Sequence, residues 1–187
     1  IVTVFTLPLF AQDEWDKKHA DEASVLLLSS FSVDINKDGS YIERLHIIKR
    51  IQNEDAMSEG EISIPYVKGR QAVRLISAYI IDPNGKKQRY KMIQDIDTSS
   101  AGDYSDQRVK IITMPNVIPG SLIDYEVEIF NKRGQLRKGE HFVLFSLISS
   151  SPTKKEIISL SIPKDKPYYF KKINTAYEPA VIKNNGR

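Results

Sequence analysis

Ser121-Leu122-Ile123-Asp124-Tyr125-Glu126-Val127-Glu128-Ile129-Phe130 is the stretch on which the fold turns. Ile123, Tyr125, Val127 and Ile129 share one face and Asp124, Glu126 and Glu128 the other, the period of two that a half-buried strand requires. Lys154 to Pro163 repeats it, with Ile158, Leu160 and Ile162 on one side and Ser159 and Ser161 on the other. Working outward, runs rich in Ile, Val, Tyr, Phe and Thr read as further strands: Val25 to Ile35, Ser40 to Ile51, Glu61 to Tyr66, Ala72 to Ile81, Arg108 to Thr113 and His141 to Ile148. Turn chemistry separates them at Asn36-Lys37-Asp38-Gly39, Asp82-Pro83-Asn84-Gly85, Pro119-Gly120 and Lys132-Arg133-Gly134. Only Glu54 to Glu59 and the stretch from Gln12 to Glu22 would accept a helical turn. The expectation is an all-β antiparallel sandwich with short turns and little helix. Its core should include Ile62, Ile64, Val109, Ile111, Ile123, Tyr125, Val127, Ile129, Leu160 and Ile162. Arg108 and Lys110 should then face solvent.

A chain of 187 residues with 41% hydrophobic and 27% charged residues can bury one full core, which excludes disorder. Its net charge of +3 is too small for a nucleic-acid-binding stripe. With no cysteine there is no disulfide, thiolate zinc site or cysteine nucleophile, and His19, His46 and His141 are far apart in sequence. No structural metal or organic cofactor is expected. Ile1 to Ala11 is apolar, contains Pro8 and gives way at once to Asp13-Glu14-Trp15-Asp16, which reads as the back half of a signal peptide cut after Ala11. Residues 12–23 then form a polar linker, 24–175 the sandwich and 176–187 a tail leading to a possible downstream domain. The protein should be exported, to the periplasm or cell surface, and no run is long enough for a transmembrane segment.

Several patterns touch on chemistry. Asp34-Ile35-Asn36-Lys37-Asp38-Gly39 copies the first half of a calcium loop, but the twelfth position is Leu45, and a hairpin turn explains the same residues. Asp97, Asp103 and Asp106 crowd one loop, whereas paired-carboxylate hydrolysis needs groups opposed across a cleft. Serines are plentiful without a Gly-x-Ser-x-Gly elbow. His46 and His141 fall within strand runs and read as structural. The segment Tyr104-Ser105-Asp106-Gln107-Arg108-Val109-Lys110 combines an aromatic, a carboxylate and two cations. Tyr104, Asp106, Arg108 and Lys110 are the candidate interface residues.

From Tyr104 through Met114-Pro115-Asn116-Val117-Ile118-Pro119-Gly120 to Glu126, the sequence resembles a bacterial domain of unknown function that sits ahead of a transglutaminase-like core in exported proteins. Asp38-Gly39-Ser40-Tyr41, Ile62-Ser63-Ile64-Pro65-Tyr66, Ile81-Asp82-Pro83-Asn84-Gly85, Met92-Ile93-Gln94-Asp95 and Ser161-Ile162-Pro163-Lys164-Asp165 extend the resemblance over about 24–170. It implies a non-catalytic accessory domain whose partner is the downstream, papain-like core of the same polypeptide. The competing expectation is a free-standing module for cell-envelope glycan or peptide, using Tyr66, Tyr79, Tyr104, Tyr168 and Tyr169. An enzyme complete in this chain is disfavoured by the missing nucleophile and ligand clusters.

Overall fold

A computed structural model describes residues 13–98, 106–132, 140–146 and 149–180. The elements are α1 (Glu14–Lys18), β1 (Ser24–Ile35), β2 (Tyr41–Ile51), a 3-10 helix (Glu54–Gly60), β3 (Glu61–Val67), β4 (Gln71–Ile81), β5 (Lys87–Arg89), β6 (Gln94–Asp97), β7 (Gln107–Thr113), β8 (Leu122–Asn131) and β9 (Glu156–Ser161). They form two sheets, ordered β5-β4-β8-β2-β1-β9 and β3-β7-β6. All pairings are antiparallel except β1 with β9. The all-β expectation holds.

The alternation in β8 works as its sequence predicts. Ile123 and Val127 are buried and Tyr125 and Ile129 half-buried beside them, while Asp124, Glu126 and Glu128 take the opposite face. Ile62, Ile64 and Ile112 from the small sheet meet Ala78, Ile80, Ile123 and Val127 from the large one in a shared core. Each Ile or Val side chain among them contributes about 1.5–3 kcal/mol through burial. The 3-10 helix closes one end of this core. Gly60 fits there because a Cβ would stand 2.6 Å from Val117 Cγ2. At the β1–β2 hairpin, Gly39 has φ of 92° and the Asp38 carboxylate accepts from Ser40 N at 2.9 Å and Ser40 Oγ at 2.8 Å. The calcium-like half-loop is thus closed as a hairpin turn.

Residues 13–23 are more than a linker. α1 opens with a capping box between Asp13 and Asp16, and the Asp16 side chain is 1% exposed, accepting from Arg50 Nη1 at 2.8 Å and from Lys154 Nζ at 3.2 Å. Buried ions must be paired, so these bonds fix the helix on β2 and on the segment before β9.

Three core and strand expectations are corrected. Residues 141–146 form no strand; they run with His141, Val143 and Phe145 turned inward and Phe142 and Leu144 exposed. Their inner side chains pack edge-on, Phe145 on Phe31 at 5.7 Å and His141 on Tyr41 at 5.9 Å. The alternation was real, but ring packing and not a ladder satisfies it; residues 147–148 lie outside the described residues. Leu160 is 45% exposed because β9 is an edge strand. Val109 and Ile111 lie on the face of β7 opposite to Ile112, which takes the core position. The segments β5 and β6 were missed by sequence because every residue in them is exposed and neither holds more than one apolar residue.

Candidate functional site

The small sheet reverses the usual arrangement of charge. Register places Ile62 opposite Ile112, Ile64 opposite Lys110 and Tyr66 opposite Arg108, with Asp95 and Asp97 opposite Lys110 and Arg108 from the other side. Directly opposed residues share a face. Arg108 and Lys110 therefore stand on the core side, where the expected outward orientation would have put Val109 and Ile111. Half-buried cations are stabilised by partners, and the sheet supplies them. Tyr66 Oη donates to both Asp95 oxygens at 2.8 Å, Lys110 Nζ reaches Asp95 at 3.0 Å, and Arg108 reaches Asp97 at 3.2 Å and Asp95 at 3.5 Å. The Tyr66 hydroxyl, followed by Lys110, holds the Asp95 carboxyl below its usual range. Asp97 in turn raises the Arg108 guanidinium.

The solvent side of the same sheet carries an apolar row. Pro65, Val109 and Ile96 form one row across all three strands, and Ile111 lies in the next row between Ser63 and Gln94. Ile96 is 40% exposed, and Val109 and Ile111 are half-buried. An apolar row spanning an outer sheet face is the informative kind of exception, since scattered apolar residues need no explanation and contiguous ones do. Of the four candidate interface residues, Arg108 and Lys110 belong to the inner cluster. Asp106 is exposed at the start of β7, where its carbonyl accepts from Lys68 N at 2.8 Å. Tyr104 lies outside the described residues. Sequence reading missed Ile96 and Pro65, although the Asp95-Ile96-Asp97 alternation carried a faint signal.

The outer face of the large sheet is charged and internally satisfied. Asp34, Arg44, Glu128 and Arg74 alternate in sign across β1, β2, β8 and β4, and Arg44 Nε meets Glu128 at 2.7 Å. Arg44 and then Arg74 keep Glu128 below the ordinary carboxylate range. His46 Nε2 lies 3.0 Å from Asp124, and Lys87 reaches Asp124 at 3.4 Å while sitting 3.8 Å above the Tyr79 ring. This is how a solvated sheet face is stabilised.

The hollows are shallow. One, of about 230 Å³, is lined by Lys49, Glu59, Glu61, Ser63, Ile123 and Tyr125. Glu59 is already engaged by Lys49 and by Ser24 Oγ at 2.9 Å, and burial pushes the Tyr125 hydroxyl up to about 12. A second, of about 350 Å³, lies between β4 and the Arg89–Ile93 segment. Among the described residues no three His, Asp or Glu side chains converge as metal ligands would. None of the described helices is long and apolar enough to cross a membrane.

Residues 37–187 match the family described as a Domain of Unknown Function with solved-structure structure, DUF3857. The chain belongs to this family. The match to DUF3857 begins inside the β1–β2 turn, so α1 and β1 precede it although β1 lies between β2 and β9 in the sheet. A crystal structure from Parabacteroides distasonis ATCC 8503, described as a candidate protease, shares the fold of this DUF3857 domain at a TM-score of 0.68 and 20% identity, over 78% of this chain and 30% of that one. The domain therefore spans less than a third of the chain it resembles. Two other structures align loosely. A family 3a carbohydrate-binding module with its linkers, from a Clostridium thermocellum scaffoldin, has a TM-score of 0.32 at 14% identity over 58% of this chain and 68% of that one. An M1 zinc metallopeptidase from Deinococcus radiodurans has 0.32 at 13% identity over 59% and 21%. At such scores the likeness carries no weight. No curated protein matches the sequence.

Proposed function

We propose that this DUF3857 domain is a non-catalytic accessory module of an exported bacterial polypeptide, packing against a downstream transglutaminase-like core or presenting substrate to it. The observation that carries the reading is the apolar row Pro65, Val109 and Ile96 on the solvent side of the small sheet, with Ile111 beside it. Burying such a row against a partner gains hydrophobic free energy without displacing any ion pair, because the charges of the same strands already pair on the inner side. Export rests on the apolar Ile1 to Ala11 run ahead of the charged Asp13 to Asp16 stretch. The natural reading frame beyond the codon for Arg187 tests the reading: a following domain with a Cys and a distant His supports it, and a stop codon overturns it.

A second reading, a free-standing module for cell-envelope glycan or peptide, is favoured by Tyr169, which is 97% exposed, with Tyr168 and Tyr177 exposed nearby in sequence. Of the other tyrosines expected to serve it, Tyr66 is buried under Asp95 and Tyr79 lies beneath Lys87. Titration of the chain with cell-wall glycan fragments separates the two readings, since only the second predicts saturable binding abolished by Tyr169→Ala.

A further inference from the structure

The two sheets present four edges, and three of them are protected. β5 is three residues long and contributes Lys87 and Arg89; β3 carries Pro65 in mid-strand; β6 is four residues long and turns Asp95 and Asp97 inward onto Lys110 and Arg108. Short length, charge, proline and inward-pointing carboxylates are the devices by which sheets avoid unwanted pairing. β9 has less of this protection: its one charge is Glu156, at its first residue. Its six residues, Glu156-Ile157-Ile158-Ser159-Leu160-Ser161, contain no lysine or proline and pair with β1 without a bulge.

Register identifies the unpaired groups. Ser29 N donates to Lys155 O at 2.9 Å, so the parallel ladder directs the N–H and C=O groups of Ile157 and Ser159 toward β1. Those of Glu156, Ile158 and Leu160 point the other way, and among the described residues no strand lies beside them. Ile157 and Leu160 are exposed at this edge. The chain beyond it, 162–180, forms no regular element, yet Tyr168, Tyr169, Phe170, Ile173 and Tyr177 stand exposed there. On the inner side of β1, Phe142 and Leu144 are exposed on the segment whose Phe145 packs against Phe31. The open edge thus carries the exposed side chains of Ile157 and Leu160.

We propose that β9 is completed by a seventh strand of the large sheet, supplied by the natural polypeptide C-terminal to Arg187. Such a strand would satisfy the outward groups of Glu156, Ile158 and Leu160, and its alternate apolar side chains would cover Ile158 and Leu160. In the solved structure sharing this fold the aligned region is 30% of the chain, so a domain of this fold occurs there within a longer polypeptide. The inference rests on the accessory-module reading in that it needs polypeptide beyond Arg187, but it uses a different surface from the small sheet.

Residue-resolved amide hydrogen exchange on the 187-residue chain and on the full natural gene product tests it. In the 187-residue chain the Ser159 amide, bonded to β1, exchanges slowly and the Ile158 and Leu160 amides exchange fast. In the full product Ile158 and Leu160 slow by at least about 100-fold, and Leu160→Pro, which removes an outward N–H alone, returns Ile158 to fast exchange. Fast exchange at Ile158 and Leu160 in the full product overturns the proposal. Slow exchange already present in the 187-residue chain also overturns it, with loss on dilution identifying a second copy as the cover. If Ile158 and Leu160 stay fast while Ile96→Asp weakens association with the downstream domain, the seventh strand fails and the accessory reading stands.

Discussion

Ile96 and Val109 face each other across β6 and β7 on the solvent side of the small sheet, while their chain neighbours Asp97 and Arg108 pair at 3.2 Å on the core side. Because side chains alternate, a one-residue slip of β7 against β3 and β6 would exchange the two sets. The ion pairs and the Tyr66 hydroxyl hold the register in which the cations point inward. What the strand offers to a partner is then its apolar side.

The inner cluster is architectural, which sets the sign of its mutants. Tyr66→Phe removes a hydroxyl that is bonded to both oxygens of Asp95 and should cost about 1 kcal/mol in urea unfolding. Arg108→Ala should also lower the unfolding midpoint of the isolated domain. Unchanged midpoints for both would show that the cluster does not hold the register.

Among the described ion pairs Asp16 carries the most deeply buried charge, and removing it takes away the carboxylate that Arg50, with a side chain 7% exposed, meets at 2.8 Å. Asp16→Ala is expected to destabilise the domain by about 3–5 kcal/mol, and Asp16→Leu with Arg50→Met to recover most of the loss. Chemical denaturation of the three proteins checks this. A loss under about 1 kcal/mol for the single variant would mean that α1 is not anchored.

How much of this was legible in the sequence depended on whether a residue's role was local. The strands β1, β2, β3, β4, β7, β8 and β9 were visible because each carries enough Ile, Val or Leu to betray its period. β5 and β6 were not, since their reason for being strands is the neighbour each one edges. The inward cations were illegible for a related reason. Arg108-Val109-Lys110-Ile111 reads as apolar-in by itself, and only pairing with Asp95, Asp97 and Tyr66 makes the opposite face the core side. Asp16 likewise looked like part of a polar linker until Arg50 and Lys154, far away in sequence, were brought to it.

A pH dependence follows from His46. Its hydrogen bond to Asp124 foremost, helped by the Asp124 and Glu126 charges and opposed by burial and Lys87, raises its pKa. A pKa higher folded than unfolded gives stability that is complete below about 6.5, the ordinary histidine value, and is lost as pH rises through the folded value. The side chain is more than a third exposed, so screening keeps the effect under about 1 kcal/mol. Urea midpoints should therefore fall slightly above pH 6.5 in the parent and less in Asp124→Asn. Equal slopes would contradict the assignment.

Gly60 gives a steric test of the joint between the 3-10 helix and the loop at Met114–Val117. A Cβ would also stand 3.3 Å from the Met114 carbonyl oxygen, so backbone as well as the Val117 side chain must shift. Gly60→Ala should lose about 1–3 kcal/mol, and pairing it with Val117→Ala should not restore the parent stability. Thermal unfolding distinguishes this from a neutral change.

The role of the small sheet's outer face is tested most directly by calorimetric titration of the 187-residue chain with the separately expressed downstream remainder of the natural polypeptide. The parent chain should bind, and Ile96→Asp with Val109→Thr should weaken binding by more than about 2 kcal/mol, roughly 30-fold, as loss of a hot spot does. Melting temperature should change little, because both residues lie on the solvent side of the sheet. Unaltered affinity in this variant, or no binding by the parent chain, would contradict the assignment of that face as the docking surface.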